Sequence, residues 1–194
     1  ADSEPCKNIF SYALMRDEKG EEMHKSKGNA IWFEDAADVM GVDAMRWQFA
    51  GQNPSANLNF GFSTADEVRR QFMIPLWNVY SFFVTYANID EFDPRNDSPD
   101  YNDRSELDRW ILSELNTLVA SVTNDLERFE PERVTRSVEN FVEYLSNWYV
   151  RRSRRRFWKS GVLSGSMVDS DLDKLSAYFT LYEEIGRASC RERV

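Results

Sequence analysis

Apolar side chains recur at three- and four-residue steps through most of the chain after residue 62, which is the pattern of amphipathic α-helices. Ser63 is the predicted N-cap of the first such helix, and Pro75 is expected to kink it. Pro131 lies in the first turn of the third helix, where proline is tolerated. Four helices are predicted in this part of the chain, over residues 63–89, 105–129, 130–161 and 171–184.

Three of these helices each carry a continuous apolar face. The first face consists of Val68, Phe72, Leu76, Val79, Phe83 and Tyr86. The second consists of Leu107, Ile111, Leu115, Leu118, Val122, Leu126 and Phe129. The third consists of Val134, Val138, Phe141, Leu145, Trp148 and Tyr149. Such faces are stable when they bury one another, so the pattern predicts an antiparallel helical bundle.

The pattern before residue 63 is shorter and more varied. Residues 9–15 (IFSYALM) form an apolar, aromatic run that predicts a strand. Two short helices, 35–40 and 42–50, are expected on either side of Gly41, and residues 51–62 are expected to form a loop. The predicted fold class is therefore mainly α: an antiparallel helical bundle preceded by a short α/β remnant.

The composition supports a folded chain and excludes several classes of protein. Of the 194 residues, 42% are hydrophobic and 14% aromatic, which provides a core and excludes disorder. No apolar run reaches the roughly 18 residues that a membrane helix needs, and no signal-peptide pattern is seen. Cys6 and Cys190 fit no metal-binding spacing, and a reducing cytosol is the plain interpretation.

Both ends of the chain are expected to be cut from a longer protein. Residue 1 is not Met, and residues 1–7 carry no helix or strand pattern. The last ten residues, 185–194 (IGRASCRERV), resemble a translated sequencing-adapter read. We expect them to be a non-native tail.

A net charge of −9 means that nucleic acid could bind only at a local basic patch. The sequence contains one, an arginine cluster flanked by Trp148 and Trp158. Its members are Arg151, Arg152, Arg154, Arg155 and Arg156. Arginines beside aromatic rings suit phosphate contacts and stacking on unpaired bases. The alternative is that the arginines pair with carboxylates of an acidic bundle. Both remain open for any single arginine, and the cluster as a whole favours RNA.

A second candidate site is the loop of residues 22–29, EMHKSKGN. Taken alone, such a basic loop is most often a solvated surface. Its order resembles the second signature loop of class I aminoacyl-tRNA synthetases, usually written KMSKS and continued by KGN. The matching residues are Met23, Lys25, Ser26, Lys27, Gly28 and Asn29. Glu22 and His24 stand where that loop has lysine and serine, so one positive charge is missing.

The resemblance implies that this loop binds ATP. The implied ATP-binding residues are Met23, His24, Lys25 and Ser26. Lys25 is the implied catalytic residue, because in the family this lysine stabilises the triphosphate while the amino acid attacks the α-phosphate. ATP and Mg²⁺ would act in the full-length enzyme, and this segment alone is expected to bind no cofactor. His24 is the sole histidine, and no metal site is expected.

Two more strings extend the resemblance over residues 9–184. Residues 41–62 are similar to the segment that joins the catalytic and helical domains in the family. Residues 76–94 (LWNVYSFFVTYANIDEFDP) are similar to isoleucyl-tRNA synthetases in particular. The resemblance implies the end of a Rossmann-type catalytic domain, a truncated helical anticodon-binding domain and the tail, at residues 1–62, 63–184 and 185–194.

The implied function of the parent is ATP-dependent attachment of isoleucine to tRNA(Ile) through isoleucyl-adenylate, by a cytoplasmic, monomeric ligase with no membrane partner. The amino-acid pocket and editing insertion are not in this sequence, so the segment by itself is expected to be inactive. Its implied tRNA-binding residues are Arg151, Arg152, Arg155, Arg156, Trp148 and Trp158.

Three alternatives remain open. A valyl-, leucyl- or methionyl-tRNA synthetase shares the loop and the bundle. A non-catalytic helical RNA-binding module would explain the arginine cluster but not the loop. An interaction bundle with its arginines in salt bridges would bind no RNA, and salt-sensitive tRNA binding separates it from the others.

Overall fold

The computed structural model describes residues 5, 6, 8, 9, 11–96, 98–159 and 169–189, and in the last helix the side chains of residues 172–186. Its α-helices are α1 (Phe33–Met40), α2 (Val42–Ala50), α3 (Phe62–Val68), α4 (Ile74–Ile89), α5 (Glu106–Glu127), α6 (Pro131–Glu143), α7 (Arg151–Phe157) and α8 (Asp169–Ser189). π-Helical segments join α3 to α4 and α6 to α7, at Arg69–Met73 and Tyr144–Val150. Short 3-10 turns lie at Lys25–Lys27 and Tyr101–Asp103.

Strands β1 (Met15–Arg16) and β2 (Leu58–Asn59) pair in parallel and form a two-stranded sheet. A small α/β portion thus precedes a helical bundle, which confirms the predicted fold class. Among the described residues, no helix is long and apolar enough to cross a membrane.

The two long helical units α3–α4 and α6–α7, each continuous through its π-helical segment, are here called the first and second rods. The core of the bundle lies between these rods and the helices α5 and α8. Its buried members are Val79, Phe83, Ile111, Leu115, Phe141, Leu145, Tyr149, Val150, Phe157, Ala177, Tyr178, Leu181 and Ile185. Most of the predicted apolar faces therefore point inward. The far end of the α5 face does not, because Leu126 and Phe129 are exposed.

A second, smaller core holds the α/β portion together. It is formed by Ala36, Met40, Met45, Phe60 and Ala65. Trp47 of α2 joins this portion to the bundle. Its ring stacks on Phe72 with 3.9 Å between the centroids, and its Nε1 donates to Glu139 Oε1 of α6 at 2.8 Å.

The strand expected at residues 9–15 is much shorter in the structure. Only Met15 and Arg16 pair as a strand, and Phe10 lies outside the described residues. The partner stretch before Leu58 contains Pro54 and turn-forming residues, which cannot extend a ladder. One further contact is the Ala13 N–H, which donates to the Pro54 carbonyl at 2.7 Å.

The predicted N-cap of α3 was wrong. Gly61 occupies the N-cap, and Ser63 lies inside the first turn. The cap comes instead from Glu18, whose Oε1 accepts hydrogen bonds from the backbone N–H and the hydroxyl of Ser63, both at 2.6 Å. A carboxylate at this position is also favoured by the positive end of the helix dipole.

Pro75, where a kink was expected, lies in the first turn of α4, directly after the π-helical segment Arg69–Met73. Proline has no N–H, so the carbonyl of Gln71 loses the donor that an α-helix would supply. The ladder widens at this point, and the Ile74 N–H donates to the Arg69 carbonyl five residues back.

Helix α8 is longer than the sequence pattern indicated. It begins at Asp169 and continues through Ser189, five residues into the stretch expected to be a tail. Ile185 packs in the bundle core, and a single internal glycine such as Gly186 costs only about 1 kcal/mol. Residues 160–168, which precede α8 in the sequence, lie outside the described residues.

The bundle encloses a buried charged pair. Asp108 of α5 is fully buried, and its two oxygens accept hydrogen bonds from the Arg156 guanidinium at 2.7 and 2.6 Å. The carboxylate also accepts from the Tyr149 hydroxyl at 2.7 Å and from the Ser105 hydroxyl at 2.8 Å. The same two residues form the capping box of α5, in which the Asp108 N–H donates to the Ser105 hydroxyl at 3.2 Å and the Ser105 N–H donates to Asp108 Oδ2 at 3.3 Å; the start of this helix at Ser105 was predicted. Arg156 also pairs with Asp173 of α8, at 2.8 Å from its Nε to Asp173 Oδ1.

Burial and pairing act in opposite directions on this carboxylate. Burial would raise the pKa of Asp108, but the hydrogen bonds and charge of Arg156, helped by Tyr149 and Ser105, bring that pKa below its ordinary value. Burial and the adjacent Asp108 charge raise the pKa of Tyr149, which stays protonated as a donor.

Replacing Asp108 by Ala should destabilise the chain by about 3–5 kcal/mol, because it leaves the Arg156 guanidinium, on a side chain only 12% exposed, without its main partner. Urea unfolding followed by circular dichroism measures the change. Glu127→Ala, at an exposed position of the same helix, is the control and should stay within about 0.5 kcal/mol of the unsubstituted chain. Equal stability of Asp108→Ala and the control would contradict the conclusion that the Asp108–Arg156 pair stabilises the bundle.

The same carboxylate should make stability depend on pH. Its folded-state pKa is lowered, so its contribution is complete above the ordinary Asp pKa of about 3.9 and is lost as pH falls through the folded-state pKa. In Asp108→Asn, the decline in unfolding free energy below about pH 4 should be shallower than in the unsubstituted chain. If the unfolding free energy of Asp108→Asn fell as steeply below about pH 4 as that of the unsubstituted chain, Asp108 would not be the source of the pH dependence.

Candidate functional site

The loop of residues 22–29 is a short, ordered turn. Residues 25–27 form the 3-10 turn, and Gly28 ends it with a φ of +70°, a conformation that glycine adopts without strain. The side chains of Lys25, Ser26 and Lys27 are exposed. Two ammonium groups and one hydroxyl are therefore available to an anionic ligand.

Asn29 holds the two sides of this loop together. Its Oδ1 accepts from the His24 backbone N–H at 2.9 Å, and its Nδ2 donates to the Glu22 carbonyl at 3.1 Å. The same Nδ2 donates to Asp17 Oδ2 at 2.9 Å. This bond is the main reason that the pKa of Asp17 lies below its ordinary value. Asn29 was not among the predicted site residues, although it matches the KGN continuation of the motif.

The predicted ATP-binding residues differ in their surroundings. Lys25 Nζ lies 4.4 Å from the centroid of the Trp32 ring, a cation–π contact that leaves the ammonium group exposed. His24 Nε2 lies 3.4 Å from Glu22 Oε2. Met23 packs against the small core of the α/β portion. Among the described residues, no group of three or more His, Cys, Asp or Glu side chains could hold a metal ion.

The turn ahead of this loop is hydrogen-bonded to the first rod, α3–α4. Glu18 in that turn caps α3 through Ser63, and these hydrogen bonds lower the pKa of Glu18. Gly61 allows the approach, because a Cβ there would lie 2.0 Å from Glu18 Cγ. The turn that precedes the loop and the first rod therefore share a direct contact.

The arginine cluster divides into two parts. Arg151, Arg152, Arg154 and Arg155 are exposed, and within the described residues none of these four forms an ion pair. We name them the arginine face. Arg156 instead points into the bundle and is paired with Asp108 and Asp173. For Arg156 the structure favours the salt-bridge alternative, so only the other arginines remain candidates for RNA contact.

The two flanking tryptophans are on the surface. Trp148 was expected in the buried face of its helix, but its exposed fraction is 53%, whereas Tyr149 is fully buried. The π-helical segment holds more residues in each turn than an α-helix and so shifts the face that points inward. The Arg152 guanidinium lies 5.7 Å from the Trp148 ring centroid. Trp158 is also exposed, and its Nε1 donates to the Tyr86 hydroxyl at 2.7 Å.

Family models match both portions of the chain. Residues 1–61 match the model "tRNA synthetases class I (I, L, M and V)". Residues 108–185 match the "Anticodon-binding domain of tRNA ligase". The chain belongs to the class I tRNA synthetases.

Relatives in several organisms are isoleucine–tRNA ligases. The chain is 50% identical over 182 residues to that of Dehalococcoides mccartyi strain CBDB1, covering 92% of this chain and 17% of the relative. It is 44% identical to that of Thermus thermophilus (92% and 16%) and 41% identical to that of Pyrococcus abyssi (94% and 16%). The chain thus spans about one sixth of the length of these class I synthetases.

A solved class I synthetase shares the fold. It is the leucyl-tRNA synthetase of Agrobacterium radiobacter K84, in a ternary complex with tRNA and LeuAMS. The TM-score is 0.60 over 94% of this chain and 22% of that chain, with 15% sequence identity. At this identity the likeness concerns architecture alone.

Replacing Asn29 by Ala should loosen the loop, because three hydrogen bonds are removed together. Amide hydrogen exchange across residues 22–28 should become about 10-fold faster or more, since each bond contributes roughly 0.5–1.5 kcal/mol. Hydrogen–deuterium exchange followed by mass spectrometry measures this. Asn102→Ala, an exposed asparagine ahead of α5, should leave these amides unchanged. Unchanged exchange in Asn29→Ala would show that the loop is held by other contacts.

Proposed function

We propose that this chain is the part of an isoleucine–tRNA ligase that supplies the ATP loop and a tRNA-binding helical face. The parent enzyme would be a cytoplasmic monomer. It would join isoleucine to tRNA(Ile) through isoleucyl-adenylate, with consumption of ATP. The identity of 50% over 92% of the chain to an isoleucine–tRNA ligase carries this proposal. Residues 1–62 would close the catalytic domain, and residues 63–184 would form most of the anticodon-binding domain.

The chemistry of the loop fits the triphosphate of ATP. Lys25 and Lys27 present two exposed cations on one turn, and the Ser26 hydroxyl lies between them. An ammonium group that meets charge growing on a leaving pyrophosphate lowers the barrier more than it tightens ground-state binding. Mg²⁺ held largely by phosphates needs few protein ligands, so the loop need not supply them. His24 would add a hydrogen-bond donor. Met23 would anchor the loop to the small core of the α/β portion, against which it packs.

In a full-length ligase that carries this segment, Lys25→Ala should lower isoleucine-dependent pyrophosphate exchange by on the order of 10²-fold or more, the scale of losing one preorganised donor. Binding of tRNA should change little, because Lys25 lies in the α/β portion. Lys19→Ala, an exposed lysine in the preceding turn, is the matched control. Unchanged exchange in Lys25→Ala would rule out the catalytic role of this loop.

The arginine face supports the tRNA part of the proposal. Four guanidinium groups without ion pairs among the described residues lie close together on one helix of a chain whose net charge is −9, whereas the exposed Arg95, Arg133 and Arg136 pair with carboxylates. Unpaired guanidinium groups are suited to phosphate oxygens. Trp148 and Trp158 flank this face with exposed rings.

Binding of tRNA to this chain should weaken as salt rises. The double substitution Arg151→Gln with Arg155→Gln should lower the slope of log K against log salt by about one for each phosphate that no longer meets an arginine. Fluorescence titration at several salt concentrations gives the slope. Arg136→Gln makes the same kind of charge change at an arginine already paired with Glu132 at 2.9 Å. An equal effect of Arg136→Gln would indicate a response to net charge rather than to contact.

A second candidate function is the same activity with valine or leucine, because the family model that matches residues 1–61 covers the I, L, M and V synthetases together. Titration with tRNA(Ile) and tRNA(Val) tests the choice. Tighter binding of tRNA(Ile) supports isoleucine, and equal binding would support RNA binding alone.

A further inference from the structure

A polar crevice of about 500 Å³ lies where the α/β portion meets the bundle. Its walls are formed by α2, by the start of the first rod and by α6. Binding sites occur preferentially at such junctions between structural units. None of the residues proposed above to bind ATP or tRNA lines this crevice. It is therefore a separate feature of the molecule.

The buried side chain of Gln48 in α2 leaves one polar atom without a partner in this crevice. Gln48 is 4% exposed and is one of the lining residues. Its Nε2 donates to the Asn59 carbonyl at 3.2 Å and to the Thr64 hydroxyl at 2.7 Å. A main-chain carbonyl can only accept, so the Asn59 bond fixes the orientation of the amide. The buried Oε1 is consequently left without a hydrogen-bond donor, which is unfavourable unless a bound group supplies one.

Two carboxylates that line the crevice also lack a cation. Glu139 Oε1 accepts from Trp47 Nε1, and Glu67 Oε1 accepts from Gln71 Nε2, both at 2.8 Å. Neither glutamate forms an ion pair within the part of the chain that the structure describes. The lining holds three carboxylates against one arginine, and that arginine, Arg136, is paired with the third carboxylate at 2.9 Å.

The unmet groups of the crevice are acceptors, so a ligand must bring donors and positive charge. In the described ranges no group of three or more His, Cys, Asp or Glu side chains could hold a metal ion, which favours an organic cation. Phosphate groups would be repelled by the carboxylates. A guanidinium group carries five N–H donors in a fixed planar fork that matches carboxylate oxygens, whereas an ammonium group is a point charge with three donors.

The source of the guanidinium group follows from the same charges. Free arginine would bring its own α-carboxylate toward three glutamates, whereas an arginine inside a polypeptide has none. This chain spans about one sixth of the length of its relatives, so such an enzyme has much further polypeptide that could carry the side chain. We propose that the crevice binds an arginine side chain of a polypeptide segment outside this chain. The guanidinium group would donate to Glu139 and to the Gln48 amide oxygen, and Glu67 would add negative charge. This proposal holds whether or not the arginine face binds RNA.

The probe for the test is N-acetyl-arginine amide, which presents the side chain between two peptide groups. It is titrated against the chain at constant ionic strength, and the Trp47 indole N–H resonance is followed by heteronuclear NMR, with its assignment taken from Trp47→Phe. Because this N–H donates to Glu139, pairing of the carboxylate with the probe should shift the resonance in a saturable way. N-acetyl-citrulline amide, which has nearly the same shape without the charge, should cause no shift. N-acetyl-lysine amide should bind more weakly than the arginine probe.

Glu139→Gln should weaken binding of the probe by about 10-fold or more, because a hydrogen bond to a charged group is lost while the shape is kept. Gln48→Met, which removes the amide, and Glu67→Gln should also weaken it. Glu127→Gln makes the same charge change at an exposed position of α5 outside the crevice and should leave the affinity unchanged. The thermal midpoint confirms that each variant folds, and the exposed Glu67 keeps the test decisive if Glu139→Gln or Gln48→Met does not fold.

Three outcomes would overturn the proposal. Absence of a saturable shift with the arginine probe, or an equal shift with the citrulline probe, would show that the crevice does not bind a guanidinium group. An equal loss of affinity in Glu127→Gln would show a response to net charge alone. Tighter binding of free arginine than of the blocked probe would make a small molecule, rather than a polypeptide side chain, the occupant.

Discussion

The buried pair of Asp108 and Arg156 is the constraint on which the rest of the bundle depends. A buried carboxylate is tolerated only when it is paired and its remaining lone pairs are occupied, and this one meets both conditions through Arg156, Tyr149 and Ser105. The pair links α5 to α7, and the contact of Arg156 with Asp173 adds α8. It also fixes how α7 is rotated. With Arg156 turned inward, the other members of the arginine cluster must face solvent, so one internal ion pair determines the direction of the proposed RNA-binding face.

The π-helical segment ahead of α7 is the second half of the same constraint. It brings Tyr149 to Asp108 and turns Trp148 outward, beside Arg152. An unbroken α-helix with the apolar spacing of this sequence would direct position 148 toward the core. A wide helical turn costs some hydrogen-bond quality, which the buried Tyr149–Asp108 bond offsets.

Local patterns in the sequence were sufficient for most of the helices, for the start of α5 at Ser105 and for the loop motif around Lys25, because those signals lie within a few residues of one another. The contacts that the sequence did not reveal join distant residues. Arg156 meets Asp108 across 48 positions, and Glu18 caps α3 across 45. The five clustered arginines look alike in sequence, and only tertiary packing separates the one that is structural from the four that are exposed. Trp148 was misplaced for a related reason, since apolar spacing does not indicate where a helix widens.

The two candidate sites sit on parts of the molecule with different rigidity. The arginine face is carried by a bundle with a large core and a paired buried charge, whereas the loop around Lys25 rests on a core of five buried residues and on the amide of Asn29. Regions with few buried contacts open at lower free energy than the core. The ATP-binding role proposed for the loop, with closure on ATP and release of pyrophosphate, would benefit from that property, while the tRNA-binding role proposed for the arginine face would benefit from the opposite one. Glu18 belongs to the turn before the loop and caps the first rod of the bundle. It is one of the side chains that connect the α/β portion to the bundle. Any movement of the loop that displaces this turn must first break the hydrogen bonds of Glu18 to Ser63.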